Sequence, residues 1–188
     1  MSKILVISGH PDLQQSTANR VILDTLQQGL GDAAEIRRLD ELYANRKIDV
    51  AAEQAALVAA DVVVWQFPLH WYALPALMKA YLDEVYLHGF AYGSGGTALK
   101  GKKLTVSLTA GAPAEQYRYG GAMNHPLEAF LPPLQQSAVQ CGMDWQQPVC
   151  STGIMYVPGV SSEADLADVQ NRARLHAERL MAQIHQSV

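Results

Sequence analysis

A chain of 188 residues, 49% hydrophobic and 17% charged, has the balance of one globular domain over 1–188, which excludes an extended disordered protein. The formal charge is −4, and Lys and Arg are scattered rather than striped, which argues against a nucleic-acid partner. No apolar run approaches the ~20 residues a membrane-spanning helix needs. The first ten residues run into a Gly9-His10-Pro11 turn instead of a small-residue cleavage site, so they read as a buried strand rather than a signal peptide. Cys141 and Cys150 have no CxxC or metal spacing, and reduced thiols in a cytoplasmic protein fit them best.

Ile4 to Ser8 is a short continuous apolar run, the pattern of a parallel strand buried on both faces. Ser16 or Thr17 can cap a helix from about Ala18 to Leu30 whose inward face carries Val21, Ile22, Thr25, Leu26 and Leu30. Ala34 to Leu39 reads as a more polar strand nearer an edge, and Asp49 to Ala60 as a helix. Asp61 to Phe67 is the strongest strand signal, ended by Pro68. Pro75 suits a first helical turn, and Leu77, Met78, Tyr81, Leu82 and Val85 follow at core spacing in a helix to about Leu87. After a Gly-rich connection from Gly89 to Lys103, Leu104 to Thr109 is the fourth strand. A helix over Pro126 to Gln140 should be kinked or split by Pro132 and Pro133. A strand is expected around Gln147 to Ser151. The last helix, from Glu163 to about His185, places Leu166, Val169, Leu175, Leu180 and Ile184 in an apolar pattern.

Strands alternating with helices imply an α/β fold: a doubly wound, five-stranded parallel sheet of order 2-1-3-4-5, with helices on both faces. Ligands of such sheets bind beyond the carboxyl ends of the strands where the order reverses. Three loops reach that point. Gly9 to Asn19 leads into a helix N-terminus, a natural seat for phosphate, with donors from His10, Ser16, Thr17 and Asn19; Ser16 or Thr17 can equally be a plain cap. Neither G-x-G-x-x-G nor G-x-x-x-x-G-K-[ST] is present, so a Rossmann dinucleotide site and nucleotide hydrolysis are not indicated. Phe67 to Pro75 sets aromatic residues between two prolines, either to meet a flat aromatic ligand or to plug the loop onto its own helix. Thr109 to Ala112 is small enough for backbone amides to approach a planar ring, and Tyr117 beyond it could donate a proton. The six histidines show no metal-ligand spacing, and no metal is expected.

At these loops the chain resembles the NAD(P)H:quinone oxidoreductase family of flavodoxin-like fold, the DT-diaphorase relatives. The residues that carry the resemblance are His10-Pro11 with Ser16 to Asn19, Trp65 to Tyr72 running into Pro75 to Lys79, Asp83-Glu84-Val85 with Gly89 to Gly93, and Thr109 to Ala112. The short bacterial members, among them ancillary subunits of glutathione-gated potassium-efflux systems, are most similar and share the stretch Asp49 to Gln54. The resemblance implies FMN rather than FAD, since the chain ends soon after its last helix, with NADPH or NADH as reductant and a quinone as acceptor. It implies two-electron transfer by a ping-pong mechanism, in a homodimer joined through Tyr81, Leu87, Phe90 and the Gly89 to Gly96 loop. A peripheral association with a membrane transporter is the alternative role.

Residue by residue, the resemblance implies that His10, Ser16, Thr17, Ala18 and Asn19 hold the flavin phosphate. Pro68, Leu69, His70, Trp71 and Tyr72 would line the ring, largely through backbone N–H groups. Thr109, Ala110, Gly111 and Ala112 would hold its pyrimidine end, and Tyr117 would serve a proton relay. Two departures stand out. The family's Thr-Thr-Gly-Gly is Thr-Ala-Gly-Ala here, and the relay histidine has no direct counterpart, leaving His125 as its substitute or the relay absent.

Overall fold

The computed structural model describes residues 3–186. Its sheet is parallel throughout: β1 (Ile4–Ser8), β2 (Ala34–Arg38), β3 (Val62–Pro68), β4 (Lys103–Thr109), β5 (Asp144–Trp145) and β6 (Val149–Ser151). The order is β2-β1-β3-β4-β5, with β6 also paired to β4. The fifth strand position is thus filled by two short pieces, of which β6 falls within the strand expected around Gln147 to Ser151 and β5 precedes it. Pro148 between them has no N–H to give a ladder. The Thr105 hydroxyl donates to the Gln147 carbonyl at 3.0 Å and closes part of the gap.

Helices α1 (Thr17–Leu30) and α6 (Glu163–Gln186) cover one face; α2 (Leu39–Leu42), α3 (Val50–Ala59), α4 (Ala76–Val85) and α5 (Pro132–Gln140) cover the other. Strand alternation sorts the core. Leu5, Ile7, Val63, Trp65 and Phe67 pack with Leu77, Met78 and Tyr81 on the α3–α4 side, while Ile4, Val6, Val62 and Val64 meet Ile22, Leu26 and Leu180 on the α1–α6 side.

Three local expectations are corrected. Pro132 and Pro133 begin α5 rather than kink it, because a first turn needs no N–H from them; a separate 3-10 turn, Leu127–Phe130, precedes it. In α1, Leu23 is fully buried whereas Val21 and Thr25 are half-buried. In α6, Leu175 is 45% exposed, and Ala173, His176 and Ala177 occupy the buried stripe. Tyr81 is fully buried in its own subunit, which removes it from any interface between copies.

The α1–α6 face also carries a row of buried polar residues. Ser8, Gln66 and Ser107 lie in register across β1, β3 and β4, all fully buried, at the last residue of β1 and two residues before the ends of β3 and β4. Such groups must find partners inside the protein, and those partners build the site.

Candidate functional site

The β1–α1, β3–α4 and β4 loops converge at the switch point between β1 and β3. They enclose a cleft of about 260 Å³ lined by His10, Ser16, Thr17, Ala18, Asn19, Pro68, Leu69, His70, Thr109, Ala110 and Gly111, with Gln15, Ile154, Met155 and Tyr156 completing the wall. No Asp, Glu, Lys or Arg lines it.

One end of the cleft is the N-terminus of α1. Ser16 is the cap: its Oγ accepts the Asn19 backbone N–H at 3.1 Å and Asn19 Nδ2 at 2.9 Å. Both lone pairs are then used, so its own proton, with no acceptor among the described residues, is left to donate. The N–H groups of Thr17 and Ala18 also lack partners among the described residues, as the first helical turn requires. His10 Nδ1 accepts the Asp12 N–H at 3.1 Å, which puts the ring proton on Nε2. Burial, and then His70 with its ring 6.2 Å away, hold the His10 pKa below its ordinary value, so the ring is a neutral donor at pH 7. Two backbone amides, a hydroxyl, an imidazole N–H and a helix dipole together make a seat for an oxyanion such as a phosphate monoester.

Asn19 ties the loops together. Its Oδ1 accepts Gln66 Nε2 at 2.6 Å and the Thr109 hydroxyl at 3.1 Å. The Thr109 hydroxyl and the Asn19 amide are thereby committed beneath the seat. Gly9 N–H donates to the Gln66 carbonyl at 2.9 Å and Leu69 N–H to the Thr109 carbonyl at 2.7 Å, lacing the strand ends.

Beyond the seat, residues 70–73 form a tight turn in which His70 and Ala73 exchange both backbone hydrogen bonds, at 3.1 and 3.0 Å. Its central residues, Trp71 and Tyr72, have φ of 48° and 63°. Positive φ at two bulky aromatic residues costs about 1–2 kcal/mol each, and such strain clusters at functional sites. The turn narrows the expected ring-facing donors. The N–H groups of Leu69 and His70 are spent inside the protein, Pro68 has none, and Trp71 and Tyr72 keep theirs free among the described residues. In the third loop Ala110 N–H goes to the Ser151 carbonyl at 2.8 Å, which leaves Gly111 and Ala112 as donors. A Cβ at Gly111 would sit 3.2 Å from Met155 Sδ, so a larger residue there would make the exposed Met155 side chain shift.

Trp71 is 93% exposed, so replacing it removes strain and no packing. Trp71→Asn, which tolerates the left-handed region, is expected to stabilise the ligand-free protein by about 1 kcal/mol, a rise of about 2–4 °C in Tm. A Tm at or below the parent's in a thermal melt would show that the turn stores no strain.

Tyr117 and His125 lie outside the cleft, one wall away. Tyr72 stacks on Phe130 (centroids 5.3 Å apart, 30° between planes), and Tyr117 and His125 meet the same ring edge-on at 6.4 and 6.1 Å. Burial, then the neighbouring Tyr72, push the Tyr117 phenol up, so it stays a proton donor at neutral pH. Phe130 and Tyr72 also line an apolar cavity of about 430 Å³ with Trp65, Leu74, Leu82 and Tyr86. Sequence reasoning did not reach Gln15, Gln66, Phe130 or the 154–156 wall.

A phosphate-type seat at the first helix, beside a strained aromatic turn at the switch point of a 2-1-3-4-5 sheet, defines a protein of the flavodoxin-like class. The chain belongs to the Flavodoxin_2 family, whose model, described as flavodoxin-like fold, matches residues 2–177. Glutathione-regulated potassium-efflux system ancillary protein KefF of Klebsiella aerogenes is 41% identical over 178 residues, spanning 95% of this chain and 94% of that protein. Among solved structures, general stress protein 14 of Treponema denticola, in complex with FMN, is 38% identical with a TM-score of 0.85, covering 96% of this chain and 99% of that one. A putative quinone reductase of Klebsiella pneumoniae is 26% identical with a TM-score of 0.75, over 96% of this chain and 84% of that one.

Proposed function

We propose that this protein is an FMN-dependent NAD(P)H:quinone oxidoreductase. The observation that carries the proposal is the charge-free oxyanion seat at the α1 N-terminus. Gly111 shares the cleft lining, and the N–H groups of Trp71, Tyr72, Gly111 and Ala112, in the loops that flank it, have no partner among the described residues. An anion seat flanked by loops with free amides suits a phosphate joined to a flat polar ring, and the similar Treponema denticola protein was solved with FMN. Ser16, Thr17, Ala18 and His10 hold the phosphate, and Asn19 holds the loops around it. Bound FMN supplies the two-electron chemistry that links a reduced nicotinamide to a quinone. The four backbone N–H groups would stabilise negative charge on bound FMN. Tyr117, kept protonated by burial, would donate a hydrogen bond to the acceptor, and His125, against the same Phe130 ring, is the other proton-bearing side chain there.

The test is to load the purified protein with FMN, identify the released flavin, and follow NADPH and NADH oxidation with and without a quinone. Stoichiometric FMN and quinone-dependent oxidation are expected. Tyr117→Phe should keep FMN and lose about 10²-fold in quinone turnover. Protein that takes up neither FMN nor FAD ends the proposal.

A second reading rests on the KefF relatives, which match over nearly their whole length. In it the protein is a cytoplasmic ancillary subunit docked on a potassium-efflux transporter. Among the described residues no helix is long and apolar enough to cross a membrane, so docking would be peripheral. Potassium efflux that depends on this protein, in cells carrying the transporter, separates the two roles. A homodimer is also proposed, through exposed Leu87 and Tyr92 rather than buried Tyr81; sedimentation gives the subunit number.

A further inference from the structure

We propose that Gln66, which does not line the cleft, is a positioning residue. Through Asn19 it sets the polarity of the Ser16 hydroxyl, so that its proton points into the oxyanion seat. The inference rests on the reading that this seat holds the phosphate of FMN.

The argument is a chain of donors and acceptors. Gln66 is fully buried two residues before the carboxyl end of β3, and its Oε1 accepts the Ser8 hydroxyl at 3.3 Å. Its amide nitrogen faces α1 and donates to Asn19 Oδ1 at 2.6 Å. A side-chain amide has one oxygen and one nitrogen, so an oxygen turned to Gln66 turns Asn19 Nδ2 to Ser16, where it donates at 2.9 Å. The Asn19 backbone N–H donates to the same Oγ at 3.1 Å. Ser16 is then saturated as an acceptor, and its proton has only the cleft to point toward. Reverse the first donor and every later one reverses: Asn19 presents its oxygen to Ser16, the hydroxyl turns inward to donate to it, and the seat loses a donor. The other hydroxyl on Asn19, that of Thr109, can donate or accept and so follows whichever orientation Gln66 imposes.

The measurement is the ratio of riboflavin to FMN dissociation constants, read by fluorescence quenching on each folded variant. Riboflavin lacks the phosphate, so the ratio isolates the seat from the ring slot and from general stability. The parent protein is expected to bind FMN far more tightly. Gln66→Glu, measured at a pH high enough to ionise the buried carboxyl, places an acceptor-only carboxylate against Asn19 and should lower the ratio about 10- to 100-fold, the worth of a hydrogen bond to a charged group. Riboflavin affinity should stay within about two-fold. Gln66→Met, which removes the donor without reversing it, should give an intermediate ratio and serves if the glutamate variant does not fold. In a Ser16→Ala background, Gln66→Glu should lower the ratio no further, because the hydroxyl it acts through is gone. Parent-like ratios in both Gln66 variants overturn the inference, as does a full drop in the Ser16→Ala background. A parent protein that binds riboflavin as tightly as FMN overturns the phosphate reading itself, and this inference with it.

Discussion

Between pH 6.5 and about 3 the protein is expected to lose stability at about 1.4 kcal/mol per pH unit from His176 alone. The ring is fully buried on α6, with Ser107 Oγ at 2.8 Å from Nε2 and Ser151 Oγ at 2.9 Å from Nδ1. Burial first, then the nearby Arg179 guanidinium, push its pKa down to about 3. Unfolded, it would titrate near 6.5. On acidification the unfolded chain therefore takes up this proton first, and the native state follows only near pH 3. The contribution is complete above pH 6.5 and is drained through that window, to roughly 5 kcal/mol at its foot. His176→Gln keeps a hydrogen-bonding group between the two serines and cannot take the proton. Urea unfolding at pH 7, 6, 5 and 4 should show the variant less stable at pH 7, by about 1–3 kcal/mol, yet flatter with pH by one proton. Parallel pH profiles for the two proteins would show that His176 is not the group responsible.

The position of His176 also shows what the sequence could and could not disclose. Val169, Ala173, His176 and Leu180 follow helical spacing, so the stripe was legible in principle. Hydrophobicity alone drew the eye to Leu175, because a neutral histidine on a core face is recognised only when its partners, Ser107 and Ser151 on two strands, are known. The sheet order was legible for a simpler reason. Continuous apolar runs such as Val62 to Phe67 admit burial on both faces, and crossover handedness leaves few topologies. Topology then located the three loops of the cleft without any contact being known. The division of labour inside those loops was hidden. Whether Leu69 N–H meets a ligand or the Thr109 carbonyl is decided by pairings far apart in the chain, as is the choice of Asn19 as tie rather than direct contact. The 154–156 wall was missed although a strand through Ser151 was expected, because the switch point of the sheet directs attention to the loops after the first, third and fourth strands and not to the one after the fifth.

Arg37→Met is expected to cost about 3–5 kcal/mol, more than Glu53→Gln at its partner. Arg37 on β2 donates from Nε to both carboxylate oxygens of Glu53, each at 2.8 Å, and from Nη2 at 2.6 Å. Glu53 on α3 is wholly buried and also accepts the Tyr43 hydroxyl. The two ends of the pair are unequal. The Arg37 side chain is 17% exposed and keeps Glu35 at 2.7 Å if Glu53 is lost; the Glu53 side chain is 0% exposed and keeps only Tyr43 if Arg37 is lost. Glu53→Gln should therefore cost about 1–2 kcal/mol, since the amide oxygen still accepts from Arg37 and no buried charge is orphaned. The double variant Arg37→Met, Glu53→Leu should recover part of the loss from Arg37→Met alone, because removing both charges removes the desolvation problem with them. Urea midpoints at pH 7 rank the three proteins, and a double variant no more stable than Arg37→Met would refute the burial argument. The consequence reaches the cleft. The same β2–α3 connection carries Asp40, whose Oδ2 accepts the Leu13 N–H at 2.6 Å and pins the β1–α1 loop from behind. Loosening β2 from α3 releases that pin, so Arg37→Met should weaken FMN binding from a position that touches no part of the seat.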